Sequence, residues 1–81
     1  MEFGKTFKKI RLSKRMTVNA AARESLSNAQ VSRFENEHSM VTVDVLYEML
    51  CNINTTPQEY YFLMGADPEK NFEIFFIGLL S

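Results

Sequence analysis

One cysteine, three glycines, two prolines, one histidine and no tryptophan in 81 residues leave several chemistries without material. Cys51 alone allows neither a disulfide framework within the chain nor a thiolate zinc site. It reads as a small apolar side chain, buried or half-buried, with an intermolecular disulfide as the other option. So little Gly and Pro favours helices joined by short turns. No apolar run reaches the ~20 residues of a membrane span, and the N-terminus lacks a charged-then-apolar signal segment. The expectation is a cytoplasmic protein with no membrane partner. His38 and Cys51 have no third partner in a motif. There is no glycine-rich phosphate loop and no carboxylate pair at metal spacing. The chain therefore reads as a non-enzyme, with no catalytic residue, no metal and no cofactor.

What is present is an ordinary globular apolar share, 46%, enough for one small core. The net charge of −1 conceals two halves of opposite sign. Residues 1–33 carry Lys5, Lys8, Lys9, Arg11, Lys14, Arg15, Arg23 and Arg33 against Glu2 and Glu24. Residues 34–81 carry Lys70 against eight acids. A basic half suits a polyanion, although a solvated helix face would have the same composition. A pI near 5.8 argues against an unselective coat on nucleic acid.

Phe3, Phe7 and Ile10 recur at helical spacing and predict a first helix over about 2–15. Thr17 then reads as an N-cap for a second helix of about 18–25, whose Ala20-Ala21-Ala22 run lets a neighbour pack close. Ser27 with Gln30 fits a capping box for a third helix of about 28–36. Its inner face is Val31, Phe34 and Glu35; its outer face is Asn28, Ala29, Ser32, Arg33 and Asn36. Thr42 caps a fourth helix, about 43–53, with the stripe Val43, Leu46, Tyr47, Leu50 and Ile53. Thr56-Pro57-Gln58-Glu59 starts a fifth at about 57–64, with Tyr60 and Leu63 inward, ending near Gly65. Asp67-Pro68 repeats the start signal for a sixth over 68–80. The fold class is all-α, a compact helical bundle.

Two short helices joined tightly at Ser25–Ser27 have the form of a helix-turn-helix, spanning 17–36, whose second helix enters the major groove. The stretch Ser27 through Glu35, with Arg11 and Ala22 at their spacings, resembles the lambda-repressor/Cro-like, or Xre-type, helix-turn-helix family. More narrowly, Phe3-Gly4-Lys5-Thr6, Leu26-Ser27, Gln30 through Glu35 and Ser39 resemble the N-terminal domain of Rgg/MutR-type regulators, which act in quorum sensing. The likeness covers about residues 3–63. It implies a five-helix DNA-binding domain over 1–65, with 66–81 an additional C-terminal helix for dimerisation or for connection to another domain.

The resemblance also implies roles. Arg11 and Glu35 match a structural ion pair between the first and third helices. Asn28, Ala29 and Arg33 match base-facing positions: Asn onto adenine, Ala against a thymine methyl, Arg onto guanine. A phosphate is the other role open to Arg33. Thr17, Ser27, Ser32 and Asn36 are candidate phosphate contacts. His38, in a polar turn, is either a solvated loop residue or a further phosphate contact. The pattern departs from the family at Val18, where a phosphate-binding Gln often stands, at Ala21, where a Leu is usual, and at Glu37, where Gly is usual. The last requires Asn36 or Glu37 to take a left-handed backbone. The implied partners are double-stranded DNA and a second copy of the chain. A peptide pheromone becomes a partner only if a sensor domain follows Ser81.

A rival reading is a protein-pairing module built on the same fold. Phe72, Ile74, Phe75, Phe76, Ile77, Leu79 and Leu80 spread apolar surface around the sixth helix, more than one small domain covers. The candidate interface residues are Phe72, Phe75, Phe76 and Leu79.

Overall fold

The computed structural model describes residues 2–65. The sixth helix expected over 68–80, and with it Phe72, Phe75, Phe76 and Leu79, lies outside the described residues. Five helices follow in order: α1 (Phe3–Ser13), α2 (Val18–Ala22), α3 (Asn28–Glu35), α4 (Val43–Asn52) and α5 (Pro57–Met64). The all-helical class and the five elements agree with the sequence. Helix α3 packs on α1 and α2, α4 packs on α2, and α5 closes against α1 and α4. The shared core is Phe7, Ile10, Ala21, Ala22, Val31, Phe34, Met49, Leu50, Ile53 and Tyr60.

Helix ends depart from expectation where the chain must reverse. Helix α1 stops at Ser13, and Arg15 takes a left-handed φ of 57°. Helix α2 has five residues rather than the eight expected. Arg23 leaves the helical region at φ 43°, so the chain can turn into α3 while Ala21 and Ala22 stay buried. Arg23 and Glu24 have nothing in their helix propensity to announce this. The expected need for a left-handed residue after α3 falls on Glu37, at φ 63°.

Burial corrects four assignments. Val43 and Tyr47 are 84% and 57% exposed, and Leu63 is exposed as well. Of the expected stripe, Leu50 and the C-cap residue Ile53 are buried and Leu46 is partly covered; Met49 is buried and Val45 partly covered where Val43 and Tyr47 are not. Cys51 is exposed, on the side of α4 away from the core. The Thr42 hydroxyl makes no cap hydrogen bond to the α4 backbone, although Thr42 holds the N-cap position.

Three ties fix the ends of α4 and α5. Lys14 Nζ donates to the carbonyls of Ile53 and Asn54 and to Thr55 Oγ1, closing the C-terminus of α4. Asn52 Nδ2 donates to the Ala21 carbonyl at 2.8 Å, joining α4 to α2. The buried Tyr60 hydroxyl donates to the Phe3 carbonyl, joining α5 to α1.

Candidate nucleic-acid interface

The third helix owes its start to its own sequence. Ser27 Oγ accepts from the Gln30 amide at 3.2 Å, and Gln30 Oε1 accepts from the Ser27 amide at 3.0 Å. This reciprocal pair satisfies two amide groups that a helix start otherwise leaves open. Thr17 serves α2 likewise, accepting from the Ala20 amide at 3.0 Å. Both cap hydroxyls accept through oxygen, so each keeps its own O–H to donate.

The inner face of α3 is held by charge as well as by packing. Arg11 Nε and Nη2 donate to Glu35 Oε2 and Oε1 at 2.8 and 2.9 Å, and Nη1 donates to the Met16 carbonyl at 2.8 Å. Arg11 is 7% exposed and Glu35 3%. A buried two-pronged fork of this kind fixes the rotation of α3 about its axis relative to α1. Gly4 makes the contact possible: a Cβ there would lie 1.7 Å from the Phe34 carbonyl oxygen. The Phe7 and Phe34 rings meet edge to face beside it, with centroids 5.9 Å apart.

With Val31, Phe34 and Glu35 turned inward, the other side of α3 faces solvent. Asn28, Ala29, Ser32, Arg33 and Asn36 are all exposed there. Ser27 and Thr17 are exposed at the starts of α3 and α2, and His38 is exposed in the turn after α3. That turn is closed by the His38 amide donating to the Arg33 carbonyl at 2.8 Å. One exposed residue beside these, Gln30, is not among the site residues expected from the sequence. Gln30 is exposed on the first turn of α3, and with Arg33 it lines a shallow cleft facing Ser39, Met40 and Thr42. The capping-box spacing marks Gln30 in the sequence as part of a helix start.

Of the cations that gave the first half its charge, two are committed to the fold. Arg11 is buried against Glu35, and Lys14 Nζ is bonded to the α4 terminus. Lys5, Lys8, Lys9, Arg15, Arg23 and Arg33 remain exposed. Glu37 Oε1 accepts from the Lys5 amide at 2.8 Å and so caps α1 from outside that helix. Glu2, the N-cap residue of α1, makes no such bond.

Among the described residues no cluster of His, Cys, Asp or Glu could hold a metal ion, and no helix is long and apolar enough to cross a membrane. No solved structure matches the chain. A family model described as helix-turn-helix matches residues 7–60, which runs from the middle of α1 to the buried Tyr60 of α5 and includes the whole α2–turn–α3 unit. With two thirds of its length inside that match, the chain belongs to the helix-turn-helix family, in its Cro/lambda-repressor-like form, and is a DNA-binding domain of a transcription regulator.

Proposed function

We propose that the chain binds double-stranded DNA sequence-specifically by laying α3 in the major groove, as an Rgg/MutR-like regulator does. The observation that carries this is the exposed face of α3: small, polar, with one cation and no large apolar side chain, on a helix whose rotation is locked by the Arg11–Glu35 fork. Asn28, Ala29 and Arg33 contact base edges in this reading. Asn pairs with adenine, Ala lies against a thymine methyl and Arg forks onto guanine. Thr17 and Ser27 donate their remaining hydroxyl protons to phosphates, joined by Ser32, Asn36 and His38. Phosphate contacts set register, and base contacts set sequence. Two copies, paired through residues 66–81, read a two-part operator.

Selection from a random duplex library tests the reading, followed by a salt titration of the enriched site. A DNA reader enriches a motif, and log K falls linearly with log salt. A second reading, a pairing module without DNA binding, draws on the exposed Val43, Tyr47, Tyr61, Phe62 and Leu63. It expects no enriched motif and no DNA affinity to titrate.

A further inference from the structure

Glu37 follows α3 at a place that suits it badly. Its φ of 63° is left-handed, the region that favours glycine. It stands one residue past the C-cap Asn36, where the α3 dipole disfavours negative charge. What the side chain gains lies on another helix. Glu37 Oε1 accepts from the Lys5 amide at 2.8 Å, 32 positions away in the sequence. Helix α1 has use for that acceptor: Glu2 holds its N-cap position without a side-chain cap bond, and its first turn carries no acid. The backbone at this joint is already tight. The Glu37 amide donates to the Phe34 carbonyl at 3.0 Å, the same carbonyl for which Gly4 leaves room. The Glu37 charge is also felt at the Tyr60 hydroxyl, which donates to the Phe3 carbonyl.

We propose that Glu37 is a positioning residue of the DNA interface: its carboxylate moors the turn after α3 to the first turn of α1 and so holds Asn36 and His38 in place for phosphates. It touches no DNA itself. This rests on the DNA-binding reading above, in which Asn36 and His38 are phosphate contacts. The Arg11–Glu35 fork fixes the rotation of α3, and the Glu37 tether fixes the path of the chain as it leaves that helix. The His38 amide closes the turn on the Arg33 carbonyl. A turn closed on itself can still pivot, whereas the Glu37 side chain ties it across to α1. Because the turn is held before DNA arrives, less ordering is left to be done on binding.

Charge and tether act on DNA affinity with opposite signs, which separates them. Removing a carboxylate near the duplex strengthens binding, and freeing the turn weakens it. Glu37→Gln removes the charge and keeps an oxygen to accept from the Lys5 amide. Glu37→Gly removes both and relieves the left-handed backbone, so the fold should persist. Glu37→Asn, also tolerated at positive φ and one methylene shorter, repeats the test if glycine lowers the melting temperature into the assay range. Hydrogen exchange at the Lys5 amide of the full chain should quicken in the Gly and Asn variants and not in Gln. In anisotropy, Glu37→Gln should bind the operator at least as tightly as wild type. Glu37→Gly should bind on the order of tenfold more weakly, the scale of one hydrogen bond to a charged group. Methylphosphonate scanning gives the readout that a loss of stability alone does not move. The phosphates assigned by Asn36→Ala and His38→Ala should lose their effect in Glu37→Gly, while the selected base motif stays the same. A Gly variant that binds as tightly as wild type, a Gln variant that loses as much as Gly, or an unchanged phosphate pattern overturns the proposal. So does unchanged Lys5 exchange, or the absence of any phosphate assignable to Asn36 or His38; both leave DNA binding intact. A wild-type chain that enriches no sequence overturns the DNA-binding reading and this assignment with it.

Discussion

A glycine inside α1 costs helix propensity, roughly 1 kcal/mol against alanine, and at position 4 the fold recovers more than that through contact. Helix α1 touches the end of α3 where the Phe34 carbonyl would collide with any Cβ. Gly4→Ala should therefore destabilise the chain by at least ~1–3 kcal/mol despite the better propensity, because the obstacle is backbone and cannot swing aside. Thermal unfolding measures it. The Arg11–Glu35 fork is the second residue-scale commitment. Glu35→Ala leaves a buried guanidinium with one carbonyl partner and should cost roughly 3–5 kcal/mol. In a double-mutant cycle the Arg11→Met, Glu35→Ala pair should lose less than the two single losses together; strict additivity would show that the fork carries no coupling. On the outer face the expectation is opposite in kind. Asn28→Ala and Arg33→Ala should leave unfolding unchanged and weaken operator binding by about 1–3 kcal/mol each in an anisotropy assay.

Elements show which information is local. Caps are: Ser27–Gln30 and Thr56–Glu59 are legible because the bonding partners lie within one turn. The ends of α2 and the phase of α4 are not. Helix α4 carries Val43, Val45, Leu46, Tyr47, Met49 and Leu50, apolar on more than one side, so periodicity alone selects no single stripe. Packing on α2 and α5 chooses the side with Met49 and leaves Val43 and Tyr47 in solvent. The same limit applies to the site. Sequence pattern sorted α3 into inner and outer faces, but only the fold shows that Lys14 is used up on α4 and that Glu37 caps α1. Helix α5 depends on Tyr60, whose hydroxyl pKa is raised above its ordinary 10.0, first by burial and then by the Glu37 and Tyr61 charges. The folded state thus holds this proton more tightly than the unfolded state does. Its contribution to stability is complete below pH 10.0 and is lost as pH rises further. Tyr60→Phe should cost about 1 kcal/mol near neutrality, where the bond to Phe3 is lost, and should flatten the alkaline decline in denaturant midpoint. An equally steep decline in Tyr60→Phe would place the cause elsewhere.

For the whole molecule the open quantity is how apolar surface is covered. Tyr61, Phe62 and Leu63 are exposed in succession at the end of α5, and Val43, Tyr47 and Tyr61 share a shallow groove with Pro57. In sequence, Phe72, Phe75, Phe76 and Leu79 recur at i, i+3, i+4 and i+7, and Ile74, Ile77 and Leu80 add further apolar residues to the same stretch. Fully burying one such side chain contributes roughly 1.5–3 kcal/mol, so a few together offset the cost of association. A two-fold pairing is the commonest way to cover such a face, and the pairing proposed above would have a functional consequence. One recognition helix spans few base pairs, whereas a dimer sets two of them about 34 Å apart on one side of the duplex. Pairing and operator affinity should then fall together. Phe76→Glu is expected to shift the chain from dimer to monomer in sedimentation at tens of micromolar and to weaken operator binding, while the helical circular-dichroism signal of residues 2–65 persists. The match between the two losses is the discriminating result. A wild-type chain that sediments as a clean monomer removes the dimer. A Phe76→Glu monomer that binds the full operator as tightly as wild type keeps the dimer but separates it from DNA reading.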